Sequence, residues 1–226
     1  MDYVFQFGVV WREIDALLLG GWLTLRLSAL AMVFGLVVGV AGALAKASRH
    51  QTLRALARAY VEAIRNTPFL VQVLLVYLGL PSIGIRLKPD QAALLAMVIN
   101  LGAYTTEIVR AGIKAVPPGQ IQAGTALGLS RWQLFRFVVC LPALRAVFPA
   151  LGSQFILVML ASSVVSVISA EELTAVADTL VARNFRSFEV YLVVAAFYLA
   201  MSLGFQVAFA AIHRALFSRW AMADTR

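Results

Sequence analysis

Cysteine and histidine are nearly missing from this chain: Cys140, His50 and His213 are the only three among 226 residues. A single thiol excludes an internal disulfide or a cysteine-rich metal site, and two imidazoles are too few for a histidine metal cluster. No Gly-Lys dipeptide occurs. A Walker A loop is therefore absent, and the polypeptide is not expected to hydrolyse ATP or GTP by itself. HExxH and GxSxG are missing too, and no apolar run carries the clustered carboxylates of a metal or acid–base centre. Charged residues make up only 13%, against 62% hydrophobic and a mean hydropathy of +0.86. That balance exceeds what a soluble globular domain carries and makes the chain an integral membrane protein. The net charge of +8 lies in the gaps between apolar runs. It reads as membrane topology, and nucleic acid is not an expected partner.

Residues 1–16 are aromatic and mildly acidic, with Asp2, Trp11, Glu13 and Asp15. With no basic stretch ahead of an apolar core, they read as an interfacial segment outside the membrane and not as a cleavable signal peptide. A spanning helix needs about 20 apolar residues. Five runs of suitable length follow, at about 20–45, 68–85, 91–111, 146–170 and 190–212. Arg26 would snorkel from the outer edge of the first. Thr67 as cap and Pro68 at the first helical position predict the start of the second. The fold class expected is an all-α membrane protein of five transmembrane helices in a single domain, with a helix and loop connecting the fourth and fifth spans from Glu171 to Glu189.

Five spans put the termini on opposite sides. Thirteen basic residues fall on one face: Lys46 to Arg65, Arg110 to Arg145, and Arg214, Arg219 and Arg226 of the tail. Five, Arg12, Arg86, Lys88, Arg183 and Arg186, fall on the other, with Arg26 in the first span. The positive-inside rule then places the N-terminus outside and the C-terminus in the cytoplasm.

Glu107 is the only acid well inside a run that could be embedded, and Arg110 one turn on makes it an i, i+3 ion pair near the inner interface. Asn100 and Gln154 are costly in lipid and are expected to face a protein interior or polar cavity. Tyr104, Ser162 and Ser163 join them as candidates for lining a solute path, although serines in membrane helices also serve packing. Scattered neutral polar groups suit passage of a small polar solute and do not suit a proton relay.

Between the third and fourth spans lies QAGTALGLSRWQLFRFVVCLP, Gln122 to Pro142. Ala123, Gly124, Ala126 and Gly128 would keep one side of a short helix thin enough for another protein to approach. Gly128 stops that helix, and Ser130 with Gln133 offers a capping box for the next.

Four blocks in succession, AYVEAIRNTPFLVQVLLVYLGLP, NLGAYTTEIVRAGIKAVPPGQIQAG, the stretch just described and EELTAVADTLVARNFRSFEVYLVV, resemble the permease subunit of polar amino acid ABC importers, from about Gly20 to Phe217. The resemblance implies a type I importer in a bacterial inner membrane, built with a second permease, the same or homologous, and two copies of an ABC ATPase. A solute-binding protein would deliver a polar amino acid from outside. The chain would carry no cofactor, ATP and magnesium belonging to the partner ATPase. It also implies that the segment 116–137 docks in the ATPase as the family's E-A-A loop, with Gln122, Ala123 and Gly124 at the triplet and Gly128 at the family's glycine. Leu129 and Ser130 complete the docking residues. Gln122 replaces an acid, and Leu141-Pro142 comes one residue late. Many relatives carry a lysine–aspartate pair in the fourth span, and some carriers of basic amino acids an acid after the turn that is Pro149 to Gly152 here. Leu160-Ala161 and Gln154 occupy those places. Two alternatives remain at this level: a structural permease subunit that lines little of the path in a heterodimeric importer, and a polytopic membrane enzyme, for which the residue inventory lacks a catalytic cluster.

Overall fold

The computed structural model describes residues 4–221, with side chains through Phe217. Asp2, Arg226 and the side chain of Arg219 lie outside the described residues. The described residues form helices and connecting turns. In order these are α1 (Phe7–Arg12), α2 (Ile14–Lys46), α3 (Gln51–Arg65), α4 (Phe69–Leu74), α5 (Pro89–Lys114), α6 (Pro118–Ala126), α7 (Arg131–Gln133), α8 (Cys140–Ala161), α9 (Leu173–Asn184) and α10 (Ser187–Ala221). Four helical stretches are long and apolar enough to cross a membrane: Ile14–Lys46, Pro89–Lys114, Arg131–Ile168 and Ser187–Phe217. Among the described residues a bent pair, Gln51–Arg65 and Phe69–Ile83, turned by 112° at the break, makes a fifth when the two helices are taken as one span.

The second and fourth spans differ from the sequence reading in ways that prolines explain. A π-helical turn, Leu75–Gly79, follows α4, and another, Leu134–Val139, joins α7 to α8. Each precedes a proline, Pro81 or Pro142. A proline ring collides with the carbonyl four residues back and cannot bond to it. Widening the turn lets the helix continue past that carbonyl. The fourth span therefore starts at Arg131 rather than near residue 146, and beyond Ala161 it tightens into a 3-10 segment, Ser162–Ile168. Thr67 does not cap α4. Its hydroxyl donates to the Ala63 carbonyl at 2.7 Å and ends α3, while Pro68 is the residue before the first turn of α4.

Helices α2 and α5 pack along an extended glycine seam. A Cβ added at Gly35, Gly39 or Gly42 would lie 2.8, 2.3 and 2.3 Å from side-chain atoms of Leu101, Thr105 and Thr106. The backbones can approach this far only because those side chains are missing, and in a bilayer such van der Waals fit replaces the hydrophobic drive. The Thr106 hydroxyl donates to Gly102 O at 2.8 Å and to Gly39 O at 3.2 Å, tying the seam. At Gly112 of α5 a Cβ would be 2.0 Å from Val147 of α8, so the third helix packs as tightly. Leu27, Ala31, Val73, Ala96, Met97, Leu101 and Phe155 form the core between these elements. A second cluster, Val10, Leu17, Leu173, Ala177, Val190 and Val194, fixes α9 against α2 and α10.

Candidate functional site

The 112° break between α3 and α4 opens a cavity of about 530 Å³ lined by Arg65, Asn66, Thr67, Asn100, Tyr104 and Gln154 over an apolar base that includes Phe69, Leu157 and Val158. Three of the five path candidates read from sequence, Asn100, Tyr104 and Gln154, thus meet in one place. A helix break leaves carbonyls without partners, which lipid cannot supply. Buried Gln72 supplies them: its Nε2 donates to Ile64 O and Thr67 O, each at 2.8 Å. Its Oε1 accepts from Asn100 Nδ2 at 3.0 Å, which orients Asn100. Asn66 Nδ2 donates to Glu62 O at 2.8 Å. Arg65 lies over the Tyr104 ring, 5.3 Å from its centroid, a cation–π contact that steadies the guanidinium without occupying its N–H groups.

Sequence reasoning missed Arg65 and Asn66. They look like a polar loop before a helix, and the one signal available was their position at the RNTP break. Among the described residues no carboxylate lines the cavity. The other two candidates are not on it. Ser162 is buried and its hydroxyl donates to Met159 O at 2.7 Å, while Ser163 donates to Leu160 O at 2.9 Å. Both satisfy carbonyls where the α-helix tightens to 3-10, a packing role.

A second polar cluster lies at the far end of α8. Glu172 caps α9 by accepting from Ala175 N at 2.8 Å. Its other oxygen accepts from Tyr198 at 2.7 Å and from Thr24 at 3.4 Å, and Thr24 also accepts from Leu173 N at 3.0 Å. The carboxyl is fully buried, and burial pushes its pKa up against the pull of these hydrogen bonds. Glu189 is buried as well and accepts from Gln6 N at 3.0 Å. Glu107 is therefore not alone among the acids in being withdrawn from water. Glu107 does make its expected pair with Arg110, at 2.6 Å, and it also bonds Lys46 of α2, which spacing could not show. Among the described residues no group of three or more His, Cys, Asp or Glu could hold a metal ion.

The segment between α5 and α8 has the expected firm ends. Pro117 and Pro118 start α6, Gly128 has φ +76° in the left-handed region, and Ser130 and Gln133 form the reciprocal capping box at 2.9 and 3.3 Å. One expectation is corrected. Gly124 does not thin an outer face: it is buried, and a Cβ there would lie 2.6 Å from Leu134 of the following turn. Its smallness lets α6 fold back on its own chain. Gln122, Ala123, Ala126, Gly128 and Ser130 are exposed and Leu129 is half-buried. Leu127, 81% exposed, with Trp132 and Phe137 gives the segment an apolar surface.

Residues 24–219 match the family of binding-protein-dependent transport system inner membrane components. The chain is 37% identical over 201 residues to the glutamine transport system permease protein GlnP of Escherichia coli, covering 88% of this chain and 92% of that one. It is 37% identical over 186 residues to the nopaline transport system permease protein NocM of Agrobacterium fabrum, covering 78% and 77%. The crystal structure of an amino acid ABC transporter with histidines is similar at a TM-score of 0.89 and 37% identity, over 94% of this chain and 99% of that chain.

Proposed function

This chain belongs to the binding-protein-dependent transport system inner membrane component family, and from that premise we propose that it is the permease of an ATP-driven importer for a polar amino acid. The observation that carries the solute assignment is the convergence of Arg65, Asn100, Tyr104 and Gln154 on one cavity at a helix break. A guanidinium held by its ring face offers paired N–H donors to an α-carboxylate. Asn100, oriented by Gln72, and Gln154 offer amide groups to the rest of the solute. The volume falls in the ~300–1,000 Å³ range of small-molecule sites. A lining free of carboxylate disfavours a cationic side chain and suits a neutral, amide-bearing or similarly polar amino acid. The name of one relative, a glutamine permease, is in keeping with this class.

The distribution of charge supports the topology. Lys46, Arg110 and Lys114 lie at the ends of α2 and α5, whereas Asp90, Glu171 and Glu172 lie at the other end of the bundle. With the basic end in the cytoplasm of a bacterial cell, α6 and the turn to Ser130 face an ATPase subunit. Leu127, Gln122, Ala123, Ala126, Leu129 and Ser130 form the docking face, and Gly128 sets its turn. Two permeases and two ATPases, with a solute-binding protein outside, complete the assembly. ATP and magnesium act on the ATPase. Closure of the ATPase pair moves α6, and the continuous helix from Arg131 to Ala161 carries that motion to Gln154 in the cavity wall.

The test is uptake by the chain reconstituted with its ATPase and binding protein. Asn100→Ala and Gln154→Ala each lower uptake about tenfold, the effect of one lost hydrogen bond to a charged or strongly polar group, with the complex intact. Unchanged uptake in both variants removes the cavity from the path. Leu127→Asp leaves the protein in the membrane and abolishes the stimulation of ATP hydrolysis by loaded binding protein; retained stimulation removes α6 from the docking face.

A further inference from the structure

At the basic end of the bundle, α2, α3 and α5 diverge and leave a recess of about 560 Å³ that the transport reading does not use. Lys46, Arg58, Arg110 and Lys114 line it, with Glu62 as the one acid and Ala43, Ala47 and Ile113 as the apolar base. Glu107, just behind, bonds both Lys46 and Arg110 and so holds their head groups at the wall. Those two cations share one acid. The side chains of Arg58 and Lys114 form no hydrogen bond or ion pair with any described residue. Counting every ionisable group that faces the recess or backs it, four cations meet two acids. A concave site with a surplus of two positive charges, two of its cations fixed and two free, is built for an anion.

An exposed apolar strip adjoins the recess. Val40 and Leu44, on the adjacent flank of α2, are 40% and 63% exposed and continue the apolar base toward the membrane side. A free phosphate needs no such strip, whereas the acyl chains of a lipid do. Basic recesses between membrane helices at the cytoplasmic level suit anionic headgroups. We propose that this recess binds the phosphodiester headgroup of an anionic lipid of the inner leaflet, with Arg58 and Lys114 closing on the phosphate and Lys46 and Arg110 forming its back wall. The proposal rests on the inner-side placement of this end.

The complex is reconstituted into phosphatidylcholine vesicles with and without phosphatidylglycerol and re-extracted, and lipid retained on this chain is counted by native mass spectrometry. Phosphatidylglycerol is retained over phosphatidylcholine. Arg58→Gln with Lys114→Gln weakens retention roughly thirtyfold and Lys114→Gln alone about fivefold, as expected for about one charge–headgroup contact each. Arg49→Gln, an exposed residue off the recess, leaves retention unchanged. Equal retention in the double variant, or an equal loss in Arg49→Gln, overturns the site. If inorganic phosphate at millimolar concentration displaces phosphatidylglycerol and itself stays bound to the parent but not to the double variant, the recess serves a soluble phosphate and the lipid assignment falls. Retention is read without transport. A failure of Asn100→Ala to alter uptake therefore bears on the solute path alone.

Discussion

Two interruptions in the helices each gather a cluster of polar side chains, and they are finished in different ways. At the α3–α4 break the backbone is satisfied from one side, by Thr67, Asn66 and Gln72. Arg65, Asn100 and Gln154 are left facing a cavity. At the junction from Ser162 to Glu172, Ser162, Ser163 and Ser166 close on carbonyls and Glu172 draws donors from α2, α9 and α10, while Ser169 and Glu171 stay exposed. Apolar surroundings demand that the backbone be satisfied first. Whether side-chain capacity is left over then decides whether a break becomes a binding site or a joint.

The largest effect that could break this contrast is at the joint. Glu172→Ala leaves Ala175 N–H, Tyr198 and Thr24 without their buried acceptor and lowers stability by about 3 kcal/mol, read as the unfolding midpoint of the chain in detergent. An unchanged midpoint would mean that the junction is not closed. The same carboxyl sets a pH dependence. Its pKa is raised in the folded protein by burial. The native state therefore holds the proton more tightly than the unfolded chain, and stability falls as pH rises through that raised value. Glu172→Gln flattens this part of the profile; an unaltered slope would assign it to another group.

Next in size is Arg65→Ala at the open break. Uptake falls at least tenfold, consistent with loss of a charge-assisted pair, while the unfolding midpoint stays within about 0.5 kcal/mol of the parent. A large fall in stability would make Arg65 a structural residue and erase the distinction. Gln72→Ala should show both behaviours, with a loss of about 1–2 kcal/mol from freed carbonyls and a severalfold drop in uptake as Asn100 loses its guide. Smallest is Ser163→Ala, within about 0.5 kcal/mol and without change in uptake. A marked uptake defect there would return Ser163 to the path.

The charge-free runs made four to five candidate spans legible, because lipid tolerates few ionised groups. Their limits were less so: Arg131, Arg136 and Arg145 sit within the helical stretch that forms the fourth span, and the π turn before Pro142 is what lets the helix run past that proline. Asn100 and Gln154 stood out because an amide in an apolar run has few innocent explanations. Ser162 and Ser163 misled because a hydroxyl can pair with its own helix. Glu172 was hidden by its neighbour. A Glu171-Glu172 pair reads as a solvated connector until α2 and α10 are seen to enclose the second acid. Gly124 was legible as a close contact, but the partner turned out to be Leu134 of the same chain.

The glycine seam between α2 and α5 has a mechanical side. With no layer of side chains at Gly35, Gly39 and Gly42, nothing between the two helices can be compressed, and close-packed interfaces transmit strain instead of absorbing it. The pair behaves as a strut. The 112° elbow adjoins the cavity, and the π turn Leu134–Val139 adjoins α6. On the proposed function, these irregular stretches are where a transport cycle would bend the chain.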